Sequence, residues 1–195
     1  AGLGSIPGGG AEVFAPRIRE LTCEKKLPGK DWLEVAKVAH KHGLHSNATM
    51  LYGHIETMAE RVEHLDALRV AQDETNGFLA FIPLAFHPKN TEMFDISKTT
   101  GIDDLKSIAV ARLMLDNFPH IKAYWVMIGP KVAQIALSFG ADDMDGTVKE
   151  EVITHMAGAE TEQAIGSKTL VKLIHEAGRI AIERDTLYKT IQIHE

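Results

Sequence analysis

An α/β fold with parallel strands and helical crossovers is the class this sequence predicts. Strand-like and helix-like stretches alternate along its 195 residues with short links, the pattern of parallel βαβ units. One strand-like run, GFLAFIPLAF from Gly77 to Phe86, is apolar almost throughout, as expected of a strand covered on both faces. Polar residues cluster where strands end: Asn47 and His54, then His87, then Asp142, Asp143 and Asp145. In a (β/α) barrel those ends form the active face, so the clustering favours a barrel segment over a doubly wound sheet. Only about four strands are evident and a closed barrel takes eight. Four alone leave two open edges and a bare inner face. The sequence therefore reads as half of a barrel.

The elements follow in order. SIPGGGAEVF, close to the start, places three glycines where a strand ends and the chain turns sharply or approaches something closely. Almost no strand precedes that loop, which suggests that the chain opens at the end of a barrel strand. AEVFAPRIREL reads as a short helix. PGKDWLEVAKVAHKHG reads as a fuller one, with Asp31 as cap, Trp32, Val35, Ala36, Val38 and Ala39 as its buried side, and Gly43 as its stop. LHSNATMLYG is a strand. TMAERVEHLDALRVAQDE follows as a helix capped by Thr57, with Met58, Val62, Leu65, Leu68 and Val70 on one apolar face. After GFLAFIPLAF, the polar loop HPKNTEMFDISKTTG leads to the helix IDDLKSIAVARLMLDNF. HIKAYWVMIG is the next strand, and PKVAQIALSFG a helix with Pro130 in its first turn. ADDMDG is a short strand end. TVKEEVITHMAG, a helix from Ser167 to Ala177 and a polar tail complete the chain, with the whole of residues 1–195 forming one half-barrel and a helical C-terminal extension.

Composition narrows the function. The formal charge of -6 argues against a nucleic-acid or anionic-membrane surface. There is no apolar run of membrane-spanning length and no signal-peptide pattern at the N-terminus. The single cysteine, Cys23, leaves no intrachain disulfide and fits a reducing cytoplasm. It also leaves no cysteine-held iron–sulfur cluster built by this chain alone.

Several stretches offer chemistry. The loop of Gly8, Gly9 and Gly10 matches neither a dinucleotide-binding nor a Walker A pattern. It reads either as a tight turn or as a backbone cradle for a polar ligand. Glu12 beside it would accept from the hydroxyls of a ribose, or else complement a helix N-terminus. In NATMLYGHIET, a turn at Gly53 exposes backbone groups able to pair with the edge of a flat heterocycle, while Tyr52 or Ile55 packs on its face. His54 is a proton donor or a loop histidine, and Asn47 a ligand or a structural amide. His87 follows a buried strand where a substrate would sit. Asp142, Asp143 and Asp145 in GADDMDG offer oxygen ligands to a divalent cation, hydrogen bonds to a polar substrate, or a helix cap. His40, His42 and His45 read as surface residues, because His40 and His42 do not share a helix face. The methionines read mostly as core filler. RLMLDN and ERDTLY offer no derivable chemistry.

Taken together, AGLGSIPGGGAEVF, SNATMLYGHIET, FIPLAFHP, LMLDNFPHIKAYWVMIG, ALSFGADDMDGT and HMAGAET resemble the C-terminal part of the aminofutalosine synthase family, from Ala1 to about Tyr188. These are radical S-adenosylmethionine (SAM) enzymes of the futalosine route to menaquinone. Sister enzymes are the dehypoxanthine futalosine cyclase and the synthase of the deazaflavin precursor of coenzyme F420. The resemblance implies a radical-SAM (β/α) barrel whose N-terminal half holds a [4Fe–4S] cluster on a CxxxCxxC motif. It implies a transferase that adds the 5′-deoxyadenosyl radical of SAM to 3-[(1-carboxyvinyl)oxy]benzoate. By the same resemblance Gly8, Gly9, Gly10 and Glu12 face the ribose and methionine part of SAM, and Tyr52, Gly53, His54 and Ile55 cradle its adenine. Asn47, His87, Asp142, Asp143 and Asp145 would line the substrate side.

The cluster motif has no counterpart in this sequence: Cys23 lies in LTCEKK without partners. The chain alone is thus expected to be inactive, and to need either the N-terminal half or self-association to cover its open edges. Three rival readings differ in class. They are the sister cyclase, a non-catalytic half-barrel that associates with a partner, and a divalent-metal enzyme using DDMD.

Overall fold

A computed structural model of the chain describes residues 2–146, 156 and 164–195. Four parallel strands form its sheet: β1 (Ser5–Ile6), β2 (His45–Tyr52), β3 (Phe78–Ala85) and β4 (His120–Ile121). They lie side by side in chain order. A doubly wound sheet reverses its strand order partway; this one does not, so it winds in one direction as half of a barrel does. The helices between the strands are α1 (Pro16–Thr22), α2 (Gly29–Lys41), α3 (Met58–Thr75) and α4 (Gly101–Met114).

Alternation along the strands divides the sheet into two faces. Ala48, Met50 and Tyr52 of β2 and Phe81 and Ala85 of β3 join the core together with Leu65 and Leu68 of α3 and Ile108 and Ala111 of α4. The register pairs Asn47 with Ala80, Thr49 with Ile82 and Leu51 with Leu84, and these residues line the other, concave face. Asn47, Leu51, Ile82 and Leu84 are partly exposed while Thr49 and Ala80 are buried, and the exposed four mark the face that would look into a barrel.

Two helices begin with reciprocal caps. Thr57 accepts from the Glu60 N–H while the Glu60 carboxylate takes the Thr57 N–H, and Thr100 and Asp103 do the same for α4. Each such arrangement satisfies two donors that a helix start leaves over. The cap expected at Asp31 is absent. Pro28 precedes α2 without a side-chain bond, and Asp31 lies inside the first turn.

The buried stripes also differ from those expected. Val35 and Val38 of α2, and Met58, Val62 and Val70 of α3, are exposed. Gly29 and Ala36 are buried on α2, and His64, Leu65, Leu68, Ala71 and Gln72 on α3. Both helices show the sheet a stripe rotated from the most apolar one; on α3, polar His64 and Gln72 find backbone partners inside. Gln72 donates to Phe78 O at 3.0 Å and accepts from Phe78 N at 2.9 Å.

HIKAYWVMIG does not run on as a strand. Only His120 and Ile121 pair with β3, and the chain then turns into a one-turn helix, α5 (Trp125–Ile128), and on into α6 (Pro130–Ala136). Trp125 is fully buried and its indole donates to Gly146 O at 3.3 Å, so the apolar run serves a packed turn. Periodicity alone does not separate those outcomes. ADDMDG contributes a single parallel bridge, Lys122 to Asp143, which starts the next strand position of the sheet.

TVKEEVITHMAG falls almost wholly outside the described residues. Beyond it, α7 (Ser167–Glu176) leads into an antiparallel hairpin, β5 (Ala181–Arg184) and β6 (Thr190–His194). The polar tail is therefore a two-stranded sheet. Its turn lies beneath the sheet: Leu187 packs near Gly4, just before β1, and Tyr188 stacks on His120 at the start of β4, with centroids 3.9 Å apart. No described helix is long and apolar enough to cross a membrane.

Candidate functional site

The glycine loop lies along the edge of β2. A side chain at Gly8 would put its Cβ 2.2 Å from Asn47 O, so only glycine allows this approach. Thr49 on the concave face donates its hydroxyl to Gly8 O at 2.6 Å, and Trp32 donates to Gly9 O at 3.0 Å. Arg19, almost wholly buried, reaches Ala11 O at 2.6 Å and Gly10 O at 3.3 Å. A Cβ at Gly9 or Gly10 would meet nothing within 4 Å, so that stretch of backbone borders open space. Glu12, in a left-handed conformation at φ 49°, gives its carbonyl to Leu51 N. Its carboxylate pairs with Lys26 Nζ at 2.5 Å.

His64 ties this loop to the sheet. It lies fully buried on α3, accepts the Phe14 N–H at Nδ1 (3.2 Å) and faces Thr49 O from Nε2 (3.0 Å). Only the neutral tautomer protonated at Nε2 satisfies both contacts. Burial accordingly drives its pKa down to about 3.

The turn after β2 is organised by a carboxylate. Glu56, whose side chain is fully enclosed, takes the Gly53 N–H at 2.6 Å and the His54 N–H at 2.9 Å. Arg61 of α3 closes on the same group, Nε at 2.7 Å and Nη2 at 2.6 Å from Oε1. Burial opposes ionisation of Glu56, but the Gly53 N–H, His54 and Arg61 outweigh it and hold its carboxyl below the usual range. Arg17 of α1 caps the arrangement. It binds both oxygens of Glu60 and donates to Ile55 O at 3.0 Å. Among the described residues this leaves the Ile55 N–H and the carbonyls of Gly53 and His54 without a hydrogen-bond partner. The turn thus offers one donor and two acceptors of backbone, held rigidly from behind.

Of the residues expected to touch a ligand, the structure keeps some near the concave mouth and removes others. Gly53 and Ile55 are there. Tyr52 is not: it is fully buried on the helix side, where its hydroxyl meets Asp104 Oδ1 at 2.8 Å. Alternation along β2 decides this, since Thr49 and Leu51 take the concave positions. The His54 ring is enclosed, with Nε2 3.0 Å from Leu51 O and Nδ1 3.1 Å from Glu56 Oε2. What the His54 position presents is backbone. Asn47 lies on the concave face, and its buried Oδ1 has no hydrogen-bond partner.

His87 is almost wholly buried, 2.9 Å from Met127 O, and so joins the end of β3 to α5. Asp142 belongs to the opposite end of the sheet. It accepts from Ile121 N and Arg112 and pairs with His120, at the start of β4 and away from the mouth. Asp143 accepts from Arg184 and Tyr188 of the C-terminal hairpin. Asp145 pairs with Lys122 at 2.6 Å. The three carboxylates are thus spent on three different partners, and the described residues hold no group of His, Cys, Asp or Glu able to bind a metal. His40, expected at the surface, bridges Thr75 and Ser46.

Sequence reading missed Arg17, Glu56, Arg61, Lys122, Arg184 and Tyr188. Thr57 and Glu60 carry the spacing of a capping box, and Lys122 is the one charge inside HIKAYWVMIG; those signals were available. Arg184 and Tyr188 lie in ERDTLY, where nothing local shows that both reach a carboxylate about forty residues earlier.

Comparison with known proteins gives the family. The model of the CofH/MqnC C-terminal region matches residues 75–195. An aminodeoxyfutalosine synthase of Thermus thermophilus is 51% identical over 99% of this chain and 53% of its own length. A 5-amino-6-(D-ribitylamino)uracil–L-tyrosine 4-hydroxyphenyl transferase of Methanococcoides burtonii is 40% identical over 98% of this chain and 56% of its own length. A cyclic dehypoxanthine futalosine synthase of Halalkalibacterium halodurans is 40% identical over the whole chain and 52% of its own length. The chain spans about half the length of the curated relatives it matches.

Proposed function

The chain belongs to the family of CofH/MqnC C-terminal regions, and from that premise we propose that it is the C-terminal part of a radical SAM aminofutalosine synthase. The proposed reaction joins the 5′-deoxyadenosyl group of SAM to the enolpyruvyl double bond of 3-[(1-carboxyvinyl)oxy]benzoate, on the way to menaquinone in the cytoplasm. One observation carries the choice within the family: the Thermus aminodeoxyfutalosine synthase is 51% identical, against 38% to 44% for the relatives named for the two sister activities, a range that also holds the Streptomyces coelicolor aminodeoxyfutalosine synthase at 42%.

The residues present fit SAM. Trp32 and Arg19 take the Gly9 and Gly10 carbonyls, but that backbone borders open space, and the buried Oδ1 of Asn47 and the Ile55 N–H have no partner among the described residues. They do not fit a [4Fe–4S] cluster, because Cys23 is the only cysteine and no described cluster of ligands exists. On this reading the cluster belongs to a preceding half-barrel, which would also cover the edge at β1 and the concave face.

SAM bound with such a cluster supplies a carbon-centred radical. This chain's part is positioning. The Ile55 N–H and the carbonyls of Gly53 and His54 would pair with the adenine edge. Glu56 and Arg17 hold that turn still, and the glycine loop, fixed by Thr49 and Arg19, would carry the ribose and methionine part. Leu51, Ile82 and Leu84 form an apolar floor that keeps water from the reacting carbons. Small displacements in such a site are costly in rate.

The test is to incubate the anaerobically purified protein, complete with its cluster, with SAM and the enolpyruvyl benzoate. Covalent capture of the adenosyl group in the product supports the synthase. Release of 5′-deoxyadenosine from a futalosine derivative, without capture, would assign the sister cyclase instead. No turnover with either substrate would favour a non-catalytic half-barrel.

A further inference from the structure

Building on the synthase reading, we infer that Lys122 is the anchor for a carboxylate of the substrate, and that the C-terminal hairpin aims it. The sheet register puts Ile121 opposite Phe81 on the helix side, so Lys122 turns to the concave side, level with Ile82 and Thr49. The concave positions of β2 and β3 carry no charge. Lys122 brings one ammonium into that neutral surface.

The ammonium is enclosed yet incompletely bonded. The side chain is 9% exposed, and its hydrogen bond is to Asp145 Oδ1 at 2.6 Å. An ammonium carries three donors, so two remain unspent among the described residues where water scarcely reaches. Donors on a buried charge are costly to leave unsatisfied. An incoming carboxylate would take them, and an aryl carboxylate would lay its ring on the apolar floor formed by Ile82 and Leu84.

The direction of the ammonium is set from the far end of the chain. Asp145 sits at φ 69°, a conformation rare for a residue with a side chain. Its N–H is fixed by Asp143 Oδ1 at 2.7 Å. Asp143 is in turn held by the Arg184 guanidinium and by the Tyr188 hydroxyl at 2.6 Å. Tyr188 itself lies between the Arg184 guanidinium, 3.8 Å from its ring centre, and the His120 ring. Asp143, Arg184 and Tyr188 are therefore positioning residues for Lys122, acting through Asp145.

The test measures binding as well as turnover. The purified full-length protein is titrated calorimetrically with 3-methoxybenzoate and with 3-methoxybenzamide, which differ in charge but hardly in shape. The wild type should prefer the benzoate by roughly tenfold or more. Lys122→Met should erase that preference, Lys122→Arg should keep part of it, and Tyr188→Phe should reduce it without removing it. Thermal melts identify any variant that has lost its fold, and Lys122→Gln replaces Lys122→Met in that event. Equal affinities in the wild type, or a preference that survives loss of the lysine, would overturn the anchor. A protein that makes the adenosyl adduct but shows no benzoate preference keeps the synthase reading and loses this one. Conversely, a Lys122-dependent preference without adduct formation keeps the anchor and loses the synthase.

Discussion

Tyr52, the last residue of β2, donates its hydroxyl across 2.8 Å to Asp104 in the first turn of α4. The contact ties the mouth end of a strand to the helix behind it and turns the tyrosine ring away from the concave face. Burial raises the Asp104 carboxyl, with the Tyr52 hydroxyl acting against it, and burial also pushes the Tyr52 phenol well up. Tyr52→Phe should therefore cost about 1–3 kcal/mol in a urea melt, because a buried carboxyl loses its partner. SAM affinity, followed by calorimetry, should stay at the wild-type value. A large loss of SAM affinity with unchanged stability would put the ring at the ligand after all.

His64 predicts an acid-sensitive step. Its folded pKa is about 3 against an ordinary 6.5, burial being the main cause. The unfolded chain takes up a proton that the folded chain refuses. This contribution to stability is therefore fully present above pH 6.5 and is lost as the pH falls from 6.5 towards 3, at up to about 1.4 kcal/mol per pH unit. His64→Gln should be less stable at pH 8 by about 1–3 kcal/mol, with a shallower acid slope. Denaturant midpoints at half-unit pH intervals give both quantities.

Glu56→Gln should destabilise the fold by about 3 kcal/mol, since it leaves Arg61 without its counter-charge in an enclosed place. The Glu56 carboxyl is held below its ordinary 4.5. Its contribution is thus present above pH 4.5 and disappears as the pH falls through the folded value. Hydrogen exchange at Gly53, His54 and Ile55 should quicken in the variant, and exchange in β3 should not.

Arg184→Ala should release the hairpin. Burial works against ionisation of Asp143, but the charges of Lys122 and Arg184 dominate and hold its carboxyl below the usual range. With Arg184 removed, that carboxyl should titrate higher, and exchange should rise together over residues 181–194 and 142–146. A rise confined to the hairpin would show that the two segments are not coupled.

Much of the architecture was legible in the sequence because its signals are local. The apolar run at Phe78–Ala85 and the Thr57–Glu60 spacing each announce an element through neighbours a few residues apart, and the order of elements follows. The glycines at 8–10 and 53 were legible for the same reason. Local signals failed where packing chose between equal options: HIKAYWVMIG had the composition of a strand but spends Trp125 on a buried turn. They failed again where a face had to be assigned, as for Tyr52, Val35 and Val38.

By itself the sequence determined a singly wound α/β half-barrel and the loops that face its mouth, because period, capping and glycine placement are written residue by residue. Only the tertiary structure decided which polar groups remain available for a ligand. Asp142, Asp143 and Asp145 stand within four positions of one another, yet Arg112, Arg184 and Lys122 claim one each. An ion pair is settled by distance and burial in the folded chain, and a residue about forty positions away can win it as readily as a neighbour.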